Sequence, residues 1–434
     1  MLLRRACSVV LACVCAVAGL AGCGGQGPVM ECNCPAAAPP AYALDVTTAG
    51  RVRWRAPLAP AGPDLQLPPL AVGAVAVFVQ DNVLYGLRLA DGRRLWSRAV
   101  SQDIAGMWRW QDLVVVLTQP GRTGRPLPVL TGLDASTGRP RWTLPLGADE
   151  GGLSPTADGG LAITVYRGNG VLEVVDLSSG RVRWALPVAS TWAPVAADGA
   201  VLFSANSQLT SYDDRTGRVR WTEALRPWTE LDPGSTQASG LVVYLTGEVL
   251  QGVQGAAGHW AQVLLGISAA TGRVQWRIVA SPPGSLDPYA PGLMSVTVSA
   301  YPGGASQEAL DPATGRVRWK VVSLYHAIAT PAGIVTAPGP DQVSMRNTLT
   351  GQTRWTVRLA GGWLPLVTSS WQASGPSAFP AGPLLVVPAA APDVLAAFRM
   401  SDGHRAWQVT IPGPLQAPLT AVPGGMLAYA GTTW

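Results

Sequence analysis

The stretch Asp213-Asp214-Arg215-Thr216-Gly217-Arg218-Val219-Arg220-Trp221 decides the architecture, because its core, a glycine followed four residues later by a tryptophan, recurs as a spaced series of nine copies along the chain. The copies are Gly50–Trp54, Gly92–Trp96, Gly138–Trp142, Gly180–Trp184, Gly217–Trp221, Gly272–Trp276, Gly315–Trp319, Gly351–Trp355 and Gly403–Trp407. The eight steps from Trp54 to Trp407 average about 44 residues, the period of four-stranded propeller blades. Each copy therefore marks one supersecondary unit that buries its apolar faces only by packing on its neighbours.

The local chemistry agrees. The glycine suits a tight turn between two strands, where the backbone is left-handed and a Cβ is costly. Four residues before it stands Asp134, Asp176, Asp213, Ser268, Asp311 or Asn347 in six copies, side chains that accept hydrogen bonds from turn amides. After the glycine, runs such as Arg181-Val182-Arg183-Trp184 alternate, placing Val and Trp on one strand face and the arginines on the other. This predicts an outermost strand with its indole buried against the next blade and its arginines in water. Apolar runs upstream, Val171 to Val175, Leu264 to Ile267 and Val394 to Phe398, supply its partner strand, and runs punctuated by Asp-Gly, as in Pro194 to Phe203, supply two inner strands.

The phrase Asp-x-x-Thr-Gly-basic-x-x-Trp, complete in the copies ending at Trp142, Trp221 and Trp319, resembles the repeat of pyrroloquinoline-quinone-like (PQQ-like) β-propellers. That superfamily includes quinoprotein dehydrogenases and the BamB-like lipid-anchored propellers of outer-membrane protein assembly. The copies ending at Trp54, Trp96 and Trp407 keep little beyond Gly and Trp, and the resemblance covers residues 41–434. It implies an all-β, eight-bladed β-propeller of four-stranded antiparallel blades, whereas the strict motif count gives nine. The first motif, Tyr42 to Pro57, is a lone outer hairpin. The strand-like runs Pro418 to Val422 and Met426 to Ala430 are expected to complete its blade and so close the ring with N- and C-terminal strands.

Residues 1–22 read as a secretion signal, with Arg4 and Arg5 followed by the apolar Ala6 to Leu20. The tetrapeptide Leu20-Ala21-Gly22-Cys23 resembles the lipobox of bacterial lipoproteins, which implies a diacylated Cys23 at the mature N-terminus. Residues 23–40, rich in Gly, Pro and Ala, form a flexible tether, and 41–434 the propeller. Two acyl chains hold a protein stably at a membrane, so the expected location is extracytoplasmic, lipid-anchored to a bacterial membrane. All six cysteines precede residue 35, and Cys32 and Cys34 read as an oxidised pair within the tether.

The formal charge of +5 falls by two when the leader carrying Arg4 and Arg5 is removed. Arginines recur beside the motif Gly and Trp and so spread around a rim without forming a groove. They hinder edge-to-edge pairing, which accounts for them without a nucleic-acid partner; weak attraction to anionic membrane surfaces is the lesser reading. The 50 glycines and 38 prolines fit a turn-dense β fold.

Chemistry is sparse. The resemblance to quinoprotein dehydrogenases would require adjacent cysteines against the quinone and acidic calcium ligands, and the propeller has no cysteine. His259, His326 and His404 are scattered, with no metal-ligand spacing, and no Gly-x-Ser-x-Gly elbow occurs. No catalytic residue, metal or cofactor is expected. Of 17 tryptophans, eight lie outside the motif. Trp108, Trp110, Trp192 and Trp363 follow outer strands on the way to the next blade and, with Trp371, are the candidate partner or ligand face. The longest steps, Trp221 to Trp276 and Trp355 to Trp407, place extra length around Gly247 to His259 and Ser369 to Pro383. The expectation is a non-enzymatic scaffold that presents one face to an envelope protein. Binding of a sugar or peptide is the alternative, and quinone-dependent oxidation stands behind both.

Overall fold

The structure is a computed structural model that describes residues 41–58, 67–119, 127–147, 149–166, 170–188, 194–205, 208–224, 230–239, 242–251, 259–280, 284–290, 293–300, 304–323, 328–330, 332–339, 341–359, 379–388, 393–413, 415 and 419–430. Every element among them is a strand, and the strands form nine four-stranded antiparallel sheets, one for each Gly…Trp copy. We name each sheet by its motif tryptophan. The Trp96 sheet shows the plan: Leu70–Val72, Val75–Gln80, Val83–Arg88 and Arg94–Ala99 follow one another from the first strand to the fourth, which carries the tryptophan.

The Trp54 sheet alone is assembled from both ends of the chain. Its third and fourth strands are Tyr42–Thr47 and Val52–Pro57, and its first two are Thr420–Val422 and Gly425–Ala430. Tyr42 pairs with Ala430 and Thr47 with Gly425. The eight blades implied by family resemblance are thus met by nine sheets, as the strict motif count has it. The first hairpin does not stand alone because the C-terminal strands supply the pairing partners it lacks.

Motif tryptophans join the sheets. Each indole lies across the motif glycine of the next sheet: Trp54 on Gly92, Trp96 on Gly138, and so on to Trp355 on Gly403. Each also donates its N–H to a backbone carbonyl of that sheet, at 2.7–3.1 Å. The ninth contact, Trp407 on Gly50 with its N–H on the Thr48 carbonyl, returns the series to the sheet where it began. A buried indole N–H without an acceptor is costly, so this bond sets both the position and the angle of each neighbour. Between sheets the space is filled by apolar side chains, for example Phe78, Leu87, Leu427 and Tyr429 between the Trp54 and Trp96 sheets. The Phe78 ring lies 5.6 Å from that of Tyr429, tilted by 57°, and the Tyr429 hydroxyl donates at 2.5 Å toward the Val79 carbonyl and Gln80 Oε1.

Of the stretch around Gly247 to His259, where a loop is expected, the described residues 247–251 and 259 are strand. Val242–Gln251 and His259–Ser268 pair without interruption from Val242 with Ser268 to Gln251 with His259, because the backbone ladder continues past the usual strand end. Residues 252–258 lie outside the described residues. So does most of Ser369 to Pro383, from which Phe379–Ala381 emerges as an inner strand.

Candidate interaction surfaces

The motif turns and the turns between the first two strands of each sheet share one face, as hydrogen bonds between them record. In the Trp142 sheet, Asp134 Oδ1 accepts from the amides of Ser136 and Thr137, both at 3.0 Å. Its other oxygen pairs with Arg141, which also pairs with Asp112 in the inner turn. Hydrogen bonds from Ser136 and Arg141 hold the Asp134 carboxyl well below the usual carboxylate range. Arg183 joins Asp158 at 2.7 Å and Asp176 at 2.9 Å in the same way. Burial pulls the Asp176 carboxyl upward, but bonds from Ser178, Arg183 and Ser179 outweigh it and bring it to about 2. Arg220 with Asp213 and Arg318 with Asp311 repeat the pattern at 2.8 Å. Arg141, Arg183 and Arg220, expected simply in water, instead fold back to tie one hairpin end to the other, since the carboxylate each reaches is fixed by the turn itself.

The arginine directly after the motif glycine behaves differently. Arg51, Arg93, Arg139, Arg181, Arg218, Arg273 and Arg316 are exposed, and none forms an ion pair among the described residues.

Trp108 and Trp110, two of the five proposed face tryptophans, lie on Asp103–Trp110, the first strand of the Trp142 sheet. Both are half-buried and pack into the cluster between the Trp142 and Trp184 sheets, with Leu117, Leu161 and Ile163. Trp110 covers Gly159 of the next sheet, and its Nε1 is buried without a hydrogen-bond partner. Trp192, Trp363, Trp371 and Cys23, the residue expected to be lipidated, lie outside the described residues.

A cavity of about 340 Å³ opens between the Trp96 and Trp142 sheets at the end away from the motif turns. Leu84, Val116 and Leu133 form apolar walls, and Arg98, Ser101, Gln102, Thr118 and Thr131 bring polar groups to it. The Thr118 hydroxyl donates to Gln102 Oε1 at 2.6 Å, and Gln102 Nε2 donates to the Leu127 carbonyl at 2.9 Å. The motif pattern does not reveal this site, because it depends on Val100 to Gln102, a connection between sheets. Among the described residues no group of three or more His, Cys, Asp or Glu is placed to hold a metal ion.

Another feature escaped the repeat reading. The residue opposite each motif tryptophan on the third strand is small in most sheets: Gly86, Gly132, Gly266, Ser211, Ala309 and Ala397. A Cβ on Gly86 would stand 2.1 Å from the Trp96 ring. In the Trp54 sheet this place is held by Asp45, fully buried. Arg53 lies 3.2 Å from Asp45 Oδ2 but without hydrogen-bond geometry, so the carboxylate has a counter-charge and no donor. Burial raises its pKa against the pull of Arg53. The sequence signal is the spacing, a small residue about ten positions before Trp.

A family profile described as outer membrane protein assembly factor BamB matches residues 37–223, 128–286 and 168–332, together more than half of the chain. No curated protein matches. Among solved structures, BamB from Moraxella catarrhalis is 14% identical, with 76% of this chain and 98% of that chain covered, at a TM-score of 0.44. A quinohemoprotein alcohol dehydrogenase from Comamonas testosteroni is 11% identical over 86% of this chain and 76% of its own, at 0.44. A structure described as the eukaryotic initiation factor is 10% identical over 86% and 96%, at 0.55. At these identities the likeness is one of fold alone.

Proposed function

This chain belongs to the family of the outer membrane protein assembly factor BamB, and from that premise we propose that it is a lipid-anchored, non-enzymatic scaffold that binds a protein partner in the bacterial cell envelope. The observation that carries the reading is the family match, which spans both the tether boundary and the repeats. Cys23 is the proposed point of lipidation, and residues 1–22 the leader removed before it. The partner face we assign is the one away from the motif turns, where the connections between sheets, the long Val242–Gln251 hairpin and the cavity beside Ser101 lie. Trp192, Trp363 and Trp371 belong to this proposal on sequence grounds. Connections of this kind carry partner binding in many folds while the scaffold holds them in place.

A photo-crosslinking residue at Ser101 of the full chain, expressed in its native envelope, is expected to capture one recurring protein. The same residue at Thr137, on the motif-turn face, is not. Repeated absence of an adduct from Ser101 and Trp192 alike would remove the scaffold reading.

The cavity favours a second reading, binding of a small ligand, because its volume and mixed lining lie within the range of small-molecule sites. Calorimetric titration with sugars and short peptides, repeated on Gln102→Ala, separates this from the first reading.

A further inference from the structure

We propose that the face bearing the motif turns docks flat on a bilayer containing anionic lipid, as a contact separate from any acyl anchor. Two independent features of that face point to lipid.

The first is charge. Most carboxylates of the face are already taken: Asp91 by Arg88, Asp112 and Asp134 by Arg141, Asp158 and Asp176 by Arg183, Asp213 by Arg220, Asp311 by Arg318, and Asp402 by Arg399. Asp198, in the inner turn of the Trp221 sheet, is exposed and in no ion pair among the described residues, and Asp214 is buried. These pairs hold arginines in six of the nine motif hairpins and leave the seven arginines that directly follow a motif glycine exposed, with no carboxylate partner among the described residues. Because the sheets follow one another through the tryptophan contacts, these free cations recur at equivalent places from sheet to sheet and do not line a cleft. Such an array matches an extended anionic plane, where each basic side chain near the surface adds to binding.

The second is apolar exposure. Seven large apolar side chains remain exposed among the described residues, and six stand in the motif turns or outer strands: Leu95, Val182, Val219, Val274, Val317 and Leu349. Four of them, Val182 to Val317, directly follow a free arginine in consecutive sheets. A soluble polyanion satisfies the arginines but gains nothing from the valines. An interfacial lipid layer receives both, apolar groups entering the headgroup boundary beside cations that meet phosphate.

The test uses the full chain with Cys23→Ser, so that no acyl group is attached, and vesicles of phosphatidylcholine alone or mixed with phosphatidylglycerol. The apolar leader contributes alike to every sample, so the readout is the ratio of binding to anionic over neutral vesicles. A variant carrying R139Q, R181Q, R218Q, R273Q and R316Q is expected to lower that ratio about tenfold or more, and added salt to lower it for the parent chain. A charge-preserving variant, V182S, V219S, V274S and V317S, is expected to bind both vesicles more weakly yet bind heparin as the parent does. An unchanged ratio in the arginine variant overturns the proposal. So does a valine variant that binds vesicles as the parent does, which would assign the arginines to a soluble polyanion. All these side chains point to solvent, and equal thermal unfolding of the variants verifies that the fold is intact.

Discussion

Gly138 has a φ of +67°, and a Cβ there would stand 2.6 Å from the Trp96 indole that lies across it. Two separate demands therefore meet at one residue: a left-handed backbone and room for a neighbour's ring. Gly382, with a φ of +59° and nothing within 4 Å, faces only the first. Gly138→Ala is expected to lower stability by about 3 kcal/mol, of which backbone strain supplies about 1–2 kcal/mol, the whole cost at Gly382→Ala. Urea unfolding of the two variants checks this, and equal losses would show that the indole is free to move aside. Asp45 poses the opposite case, a buried acid where other sheets mostly keep a small residue. Its raised pKa means that the unfolded chain ionises first as pH rises, so stability is lost between its ordinary value of 3.8 and its folded value and stays lower above. Asp45→Asn keeps the shape and leaves the partly exposed Arg53 hydrated. It is expected to stabilise the protein by about 1 kcal/mol at neutral pH. That gain should vanish in melts taken below pH 3.8.

In the Trp142, Trp184, Trp221 and Trp319 sheets the motif hairpin is an element locked by its own acid. Asp213 Oδ1 accepts from the amides of Arg215 and Thr216, at 3.2 and 3.0 Å, while Oδ2 takes Arg220. Asp213→Ala removes an acceptor for turn amides that have no other partner in the hairpin. Stability is expected to fall by about 1–2 kcal/mol, measured by denaturant titration. The pH sign here is the reverse of Asp45. With folded pKa values depressed, to about 2 for Asp176, these carboxylates stabilise the fold above their ordinary 3.8 and lose that contribution as pH falls toward the folded values. Wild-type stability should therefore decline from pH 3.8 downward, and less steeply in Asp176→Asn, as acid-unfolding curves would record.

At the scale of the molecule, the seam where the two ends of the chain meet is the decisive place. The Trp54 sheet exists only if Gly425–Ala430 pairs with Tyr42–Thr47, and Tyr429 then crosses to bond the next sheet at Val79. Deleting residues 415–434 would bare Leu44, Val46 and Phe78, all fully buried, and is expected to abolish soluble folding. Moving the same segment ahead of Ala41 through a short linker should restore it, because Ala430 and Tyr42 already face each other across the ladder. The rearranged sheet would then follow the strand order of the other eight. Recovery of the parent's near-ultraviolet tryptophan spectrum in the permutant, and not in the deletion, is the expected result; an insoluble permutant would count against the seam.

The nine glycine–tryptophan spacings, the alternating strands and the acids at the turns were legible before any coordinates, because each is a local rule: a φ sign, a period of two, a side chain within reach of its own backbone. By themselves they determined an all-β repeat protein whose units pack through their indoles. What they left open depends on residues far apart in the chain. Only the tertiary structure decided between eight sheets and nine, that Arg141 and Arg183 reach back to inner turns while Arg139 and Arg181 stay free, and that Trp110 covers Gly159 between two sheets. Two arginines two positions apart read identically in sequence. Their difference arises when folding brings a carboxylate within hydrogen-bond reach of one and leaves the other facing water.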